Sequence, residues 1–164
     1  MTFDEFVSEQ GQPLLRLAFV LTGDRHLSED LTQTALANAF RHWRKVENAH
    51  CPEAYVRRML VNAHLDWRRR RSSVESPREL GEHAKGWVAD PGEAIAAREQ
   101  MRALLDGLAP RARTVLVLRY YADLDDAAIA DTMGINVSSV RATASRALAA
   151  LRGAASLDVV EENR

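Results

Sequence analysis

The sequence predicts an all-α protein of two small helical domains, a four-helix unit and a helix-turn-helix unit, joined by a flexible linker. Three observations carry this expectation. Apolar residues recur at three- and four-residue spacing through most of the chain. Helix start and stop signals bracket those stretches. Between Ser72 and Ala94, SSVESPRELGEHAKGWVADPGEA, the periodicity lapses into a net-acidic run rich in Ser, Gly, Pro and Glu. The expected bounds are 1–71 for the first unit, 72–94 for the acidic linker, 95–155 for the second unit and 156–164 for a frayed tail.

Thr2 and Glu5 form a capping box, in which each side chain answers the other's backbone N–H, and Phe3, Phe6 and Val7 begin an apolar face. Gly11 is expected to break that helix, with Pro13 at the first turn of the next. LLRLAFVLTGD is apolar at nearly every position before Gly23 stops it. Ser28 opens a further helix with Glu29 and Asp30 in its first turn, where negative charge suits the dipole. Leu31, Ala35, Leu36, Ala39, Phe40 and Trp43 form its apolar stripe. Asp30, Gln33, Thr34 and Asn38 lie off that stripe, and composition alone makes them a solvated face. Lys45–Cys51 reads as a polar loop, and Pro52 starts a long helix with Tyr55, Met59, Leu60, Ala63 and Trp67 inward. Asn62 and Asp66 stand one turn apart, close enough to bond to each other or to a neighbouring loop. This helix closes on Arg68, Arg69, Arg70 and Arg71. Cations suit a helix C-terminus, but four in a row exceed what capping needs and point to nucleic acid or an acidic protein.

After the linker, whose one anchor is Trp87, Ile95, Met101, Leu104, Leu105 and Leu108 pack inward, Gly107 ends a helix and Pro110 opens another. RARTVLVLRYYADL supplies Val115, Leu116, Leu118 and Tyr121 to the core. DDAAIADTMGINVSSVRATASRALAAL then reads as a helix-turn-helix. Asp125 caps the first helix, Gly134 supplies the left-handed corner and Asn136 caps the second helix. At about 100° per residue, Val137, Val140, Ala144, Ala147, Leu148 and Leu151 form one stripe of that second helix. Ser138, Ser139, Ala142, Ser145 and Arg146 lie opposite, with Arg141 and Arg152 on the flank. Small and hydroxyl side chains let a helix sit deep in the major groove, while arginines reach phosphates or a guanine edge.

The net charge of −1 hides a pattern. Met1–Arg71 holds 11 basic and 9 acidic residues, Ser72–Ile95 holds 2 and 5, and Ala96–Arg164 holds 9 of each. Yet between Thr132 and Leu157 there are three arginines and no acid. Locally positive helices on a near-neutral chain suit a protein that touches DNA at a few places and another protein elsewhere. The lone Cys51 forms no internal disulfide and is expected to be a small buried hydrophobe. The five scattered histidines offer no ligand spacing, so no metal or cofactor is expected. Leu14–Leu21 is too short and interrupted to span a bilayer, which makes this a soluble cytoplasmic protein without membrane contact of its own.

Several of these motifs resemble the bacterial sigma factors of RNA polymerase. SEDLTQTALANAF is similar to their core-polymerase-binding helix and PEAYVRRMLVNAHLDWRRRR to the adjoining helix that handles the −10 promoter element. LAPRARTVLVLRYYADLDDAAIADTMGINVSSVRATASRALAALR resembles the −35-binding domain. Order, lengths and linker match the extracytoplasmic-function (ECF) sigma factors, and FDEFV, LLRLAFVLTGD and PEAYVRRMLVN are nearest in wording to the actinobacterial sigma-E type. The likeness covers residues 3 to 153.

The resemblance implies roles residue by residue. Asp30 and Gln33, with Thr34 and Asn38 on the same face, fall where the family meets core RNA polymerase, which reverses the solvated-face reading. Glu47, Asn48 and His50 fall in the segment that captures a flipped −10 base, whose exposed edge polar side chains can read. Asn62 and Asp66 brace that unit, and Arg68, Arg69, Arg70 and Arg71 meet promoter phosphates beside the melted strand. Ser138, Ser139, Arg141, Ala142, Ser145 and Arg146 match the −35-reading helix. Three positions depart: Ala128 replaces the usual glutamate, Thr143 a frequent arginine and Ser138 a frequent glycine, so the −35 sequence does not carry over. The implied role is initiation rather than catalysis, with promoter DNA and an anti-sigma factor as further partners. A dimeric operator-binding regulator would need a dimer helix or ligand pocket, and Met1–Arg71 shows neither. An enzyme centred on His64 and Asp66 would have no nucleophile, phosphate loop or metal set beside it.

Overall fold

The computed structural model describes residues 1–74 and 102–162. These are helical with no strand among them, and they belong to two compact units. The first is carried by four helices, α1 (Phe3–Thr22), α2 (Arg25–Arg41), α3 (Trp43–Glu47) and α4 (Pro52–Val74). The second holds α5 (Pro110–Leu116), a π-helical turn (Val117–Tyr121), α6 (Asp126–Met133) and α7 (Val137–Glu162). Most of the predicted linker, from residue 75 to 94, lies outside the described residues, as do Trp87, Ile95 and Met101.

The start of α1 follows local chemistry: the Thr2 hydroxyl accepts from Glu5 N, and Thr2 N donates to the Glu5 carboxylate at 2.7 Å. Those bonds to Thr2 hold the Glu5 carboxyl below its ordinary value. Gly23 ends the helix in the left-handed region at φ 67° and donates to Phe19 O. The expected break at Gly11 does not occur, and α1 runs unbroken through Pro13. An interior proline costs about 3 kcal/mol or more, but Phe6, Leu14, Leu17 and Leu21 fall on one side of a continuous helix and all four are buried. A break would turn Phe6 away from the other three. Each fully buried side chain of this kind contributes about 1.5–3 kcal/mol, so packing outweighs the local penalty.

α2 begins earlier than expected: Asp24, not Ser28, is its cap, with its carboxylate accepting from Leu27 N at 2.9 Å. Ser28 is instead buried and exchanges a 2.7 Å hydrogen bond with the Thr22 hydroxyl. The expected Lys45–Cys51 loop is partly the helix α3, held by Val46, which is fully buried. In α4 the inward stripe is Val56, Leu60, Val61 and His64, whereas Tyr55 is exposed. Phe40 of α2, expected inward, is 63% exposed. Cys51, expected buried, is exposed and donates to the Glu53 carboxylate.

In the second unit Val115, Leu116, Val117, Leu118, Ile129, Val140, Ala144 and Ala147 are buried, but Tyr121 is exposed. The switch to π-helical winding moves Tyr120 and Tyr121 out of the register that α5 would continue, so both face solvent. Buried Arg113 pairs with Asp106; burial lowers its pKa, and the carboxylate opposes that shift. α7 continues to Glu162, through the stretch expected to fray.

Candidate polymerase and promoter surfaces

On the first unit, α2 buries Leu31, Thr32, Ala35 and Ala39 and turns Asp30, Gln33 and Thr34 outward, with Asn38 half-buried at the margin. The spacing Asp30, Gln33, Thr34 and Ala37 places these side chains on one helical face of four exposed residues. Asp30 brings the negative charge there, while Glu29 is taken by Arg25 at 3.1 Å. This face is short, polar and weakly acidic, suited to a protein contact rather than to phosphates.

The predicted base-reading segment runs from the last residue of α3 into the turn before α4. Glu47, Asn48 and His50 are all exposed. The Asn48 amide donates to Arg44 O at 2.6 Å and so closes the end of α3. Beyond it, the Glu53 carboxyl is held below its ordinary value by its own backbone N–H and by the Cys51 thiol.

Along α4 the predicted residues separate. Asn62 is exposed, and Asp66 accepts from Arg69 at 2.8 Å rather than from Asn62. The Arg68 and Arg71 guanidiniums stack over the Trp67 ring, at 5.9 and 5.2 Å from its centroid. The run is not the helix end, since α4 continues to Val74 with Ser72 and Ser73 donating back to Arg69 O and Arg70 O. Three of the four arginines therefore have partners within α4.

On the second unit the corner is built as its sequence dictates. Asp125 accepts from Ala128 N at 2.7 Å, Gly134 is left-handed at φ 66° and Asn136 accepts from Ser139 N at 2.8 Å. The Ser138 hydroxyl donates to the same Asn136 oxygen at 2.7 Å, and Ser139 is half-buried beside it. Buried Val140, Ala144 and Ala147 fix the rotation of α7, so that Ser138, Ala142, Ser145 and Ala149 form an exposed ridge of small residues. Arg141 and Arg152 flank it on one side and Arg146 on the other, all exposed. A shallow groove of about 300 Å³ runs beside the ridge, lined by Arg119, Arg141, Ser145, Leu148, Ala149 and Arg152.

A restraint on this face is missing from the sequence reading. Asp126 at the start of α6 binds Arg119 and also Arg141, the latter at 3.2 Å. The bond to Arg119, then that to Arg141, holds the Asp126 carboxyl below its ordinary value, and Asp126 raises Arg119. Arg141 thus reaches outward from a tether, whereas Arg146 has none among the ion pairs described. The available signal was the doubled acid Asp125–Asp126, of which one caps and the other remains for a cation.

Among the described residues no group of three His, Cys, Asp or Glu side chains could hold a metal, and no helix is long and apolar enough to cross a membrane. Residues 6–74 match the description of Sigma-70 region 2 and residues 98–151 that of Sigma-70, region 4. The chain is 34% identical over 152 residues to the RNA polymerase sigma-E factor of Streptomyces coelicolor, covering 93% of this chain and 85% of that protein. It is 28% identical over 156 residues to the ECF RNA polymerase sigma factor SigE of Mycolicibacterium smegmatis, covering 92% and 60%. In fold it is similar to the sigma factor RpoE of Bartonella quintana, solved with the anti-sigma factor NepR, with TM-score 0.73, 18% identity and coverage of 95% and 98%. CnrH, solved with the cytosolic domain of CnrY, gives TM-score 0.64 at 20% identity and covers 95% and 88%. With region 2 and region 4 in order along one helical chain and a relative one-third identical over nearly all of it, the chain belongs to the ECF RNA polymerase sigma factors, of sigma-E type.

Proposed function

We propose that the first unit docks on core RNA polymerase through Asp30, Gln33, Thr34 and Asn38 and reads the melted −10 strand with Glu47, Asn48 and His50. Asn62 and Asp66 brace that segment, and the arginine run, through Arg70 above all, meets the strand's phosphates. The second unit lays α7 in the −35 major groove. Ser138, Ser139, Ala142 and Ser145 line the approach, Arg146 reaches a base edge or phosphate, and Arg141 reaches a phosphate from its Asp126 tether. The chain contributes positioning and strand capture and no bond chemistry of its own; the polymerase makes the RNA, in the cytoplasm. An anti-sigma factor is the expected regulator, since RpoE of similar fold was solved with one.

The observation that carries the reading is the face of α7, a ridge of small side chains between arginines on both flanks, behind a corner capped at every backbone turn. Run-off transcription with core polymerase on a promoter library tests it. Start sites sharing a −35 and −10 pair, present only with this chain, are expected. No core binding, with tight binding to a palindromic duplex instead, would replace this reading with the dimeric regulator.

A further inference from the structure

From Thr132 to Leu157 the chain carries three arginines and no acid, yet a carboxylate reaches this stretch from another helix. Among the ion pairs described, Asp126 of α6 is the acid that meets α7. Its two oxygens serve two guanidiniums. Oδ1 accepts from Arg119 in the π-helical turn, and Oδ2 accepts from Arg141 Nε at 3.2 Å. The Asp126 and Arg119 side chains are each 24% exposed, so their pair is the fixed side of the bridge. Arg141, at 71%, is the outward side. The bond to Arg119, then that to Arg141, lowers the carboxyl pKa, so the negative charge is present at neutral pH. Arg119 and Arg141 also line the shallow groove beside the small-residue ridge, with Ser145 and Arg152.

This bridge acts differently on matched and unmatched DNA. A guanidinium held through Nε keeps its terminal nitrogens, set in a rigid plane, for another acceptor. Arg141 therefore gives up less side-chain freedom when it meets an acceptor in the register the bridge allows. Any other phosphate gains nothing from that setting and meets less charge: with the carboxylate between them, the two arginines sum to one positive charge instead of two. General affinity for DNA follows the number of phosphates neutralised, whereas sequence is read through geometry.

We infer that Asp126 is a positioning residue that sets −35 specificity, an inference that rests on the function proposed above. It holds Arg141 in one setting for an acceptor on the −35 element and cancels one arginine charge toward all other DNA. Asp126 makes no contact with DNA itself and acts through Arg141, with Arg119 as its anchor.

The test uses the full chain assembled with core polymerase and two labelled duplexes, read by anisotropy across salt concentrations. One is a promoter selected by run-off transcription, and the other is the same duplex with its −35 element scrambled. Asp126→Asn should bind the scrambled duplex about fivefold more tightly, with a salt slope steeper by about 0.9, as one added phosphate contact requires. Its affinity for the intact promoter should fall or rise less, so that the ratio of the two affinities drops. In an Arg141→Ala background the same substitution should leave the ratio unchanged, since the residue through which Asp126 acts is gone. Asp126→Asn is nearly isosteric and should keep the wild-type circular dichroism and core affinity. If it does not, Asp126→Glu replaces it: the charge stays, the carboxylate moves by one methylene, and the ratio should drop with the scrambled-duplex slope unchanged. A purely structural role would weaken binding to both duplexes equally, and that result overturns the inference. So does a drop in ratio that persists without Arg141, or an unchanged ratio for whichever variant folds. Failure of the function itself reads out separately, as absent core association or no preference for the intact −35 element by the wild type, and takes the inference with it.

Discussion

At the end of α4, Arg68 and Arg71 lie over the Trp67 ring and Arg69 pairs with Asp66, whereas on α7 Arg141 is tethered through Asp126 and Arg146 enters none of the ion pairs described. Four consecutive arginines are thus mostly engaged within their own helix, while Arg146 on α7 is exposed and outside the ion pairs described. The units differ in plan as well. The second concentrates its candidate surface on one helix, where a single rotational setting places every side chain. The first spreads its surface over α2, the segment after α3, and α4, so each contact depends on a different packing interface.

Variants that separate the two units give the largest contrast. Asp30→Arg is expected to reduce core-polymerase affinity by about a hundredfold or more, because reversed charge at a protein contact costs several kcal/mol; labelled-chain titration with core polymerase measures it. A second-unit defect in promoter binding with core affinity intact would break the assignment. Arg146→Ala should weaken binding to promoters bearing the −35 element by about tenfold, within the about 1–3 kcal/mol of one good base contact, and leave core affinity unchanged. Footprinting of the holoenzyme distinguishes the two.

Smaller effects sharpen the contrast between available and engaged cations. Arg70→Ala should lower the salt slope of promoter binding by about 1, the signature of one lost phosphate contact, and Arg69→Ala should lower it by less. Equal slopes for the two would show that the Asp66 pair opens on binding. Asp126→Asn tests the tether through pH. The folded-state carboxyl is depressed, so its contribution is present in full above the ordinary Asp value of about 3.9 and is lost as pH falls through the lower folded value. Thermal melts of the wild type should therefore lose more stability on acidification below about pH 5 than those of the variant.

Much of the local chemistry was legible in the chain itself. The Thr2–Glu5 box, the left-handed Gly23 and Gly134, and the Asp125 and Asn136 caps stand where residue type alone puts them, because each involves groups within a turn of one another. The outward face of α7 was equally legible, since buried Val140, Ala144 and Ala147 mark its inner side at helical spacing. What misled were positions where neighbours compete with local preference. Phe40, Tyr55 and Tyr121 are aromatic and read as core, yet they are exposed, while polar His64 is buried. A helix packed against several partners buries whichever side chains its rotation selects, and a difference of one residue turns an aromatic outward.

By itself, then, the sequence determined the helical class, the caps of α1, α6 and α7, the corner of the helix-turn-helix and the order of the two regions, all properties set by residue type at short separation. Only the tertiary structure decided that α1 passes unbroken through Gly11 and Pro13, that Asp126 holds Arg141 across fifteen residues, and that Phe40 is exposed at the end of α2. Those outcomes depend on contacts between distant segments, where the burial of a whole face outweighs the preference of any single residue.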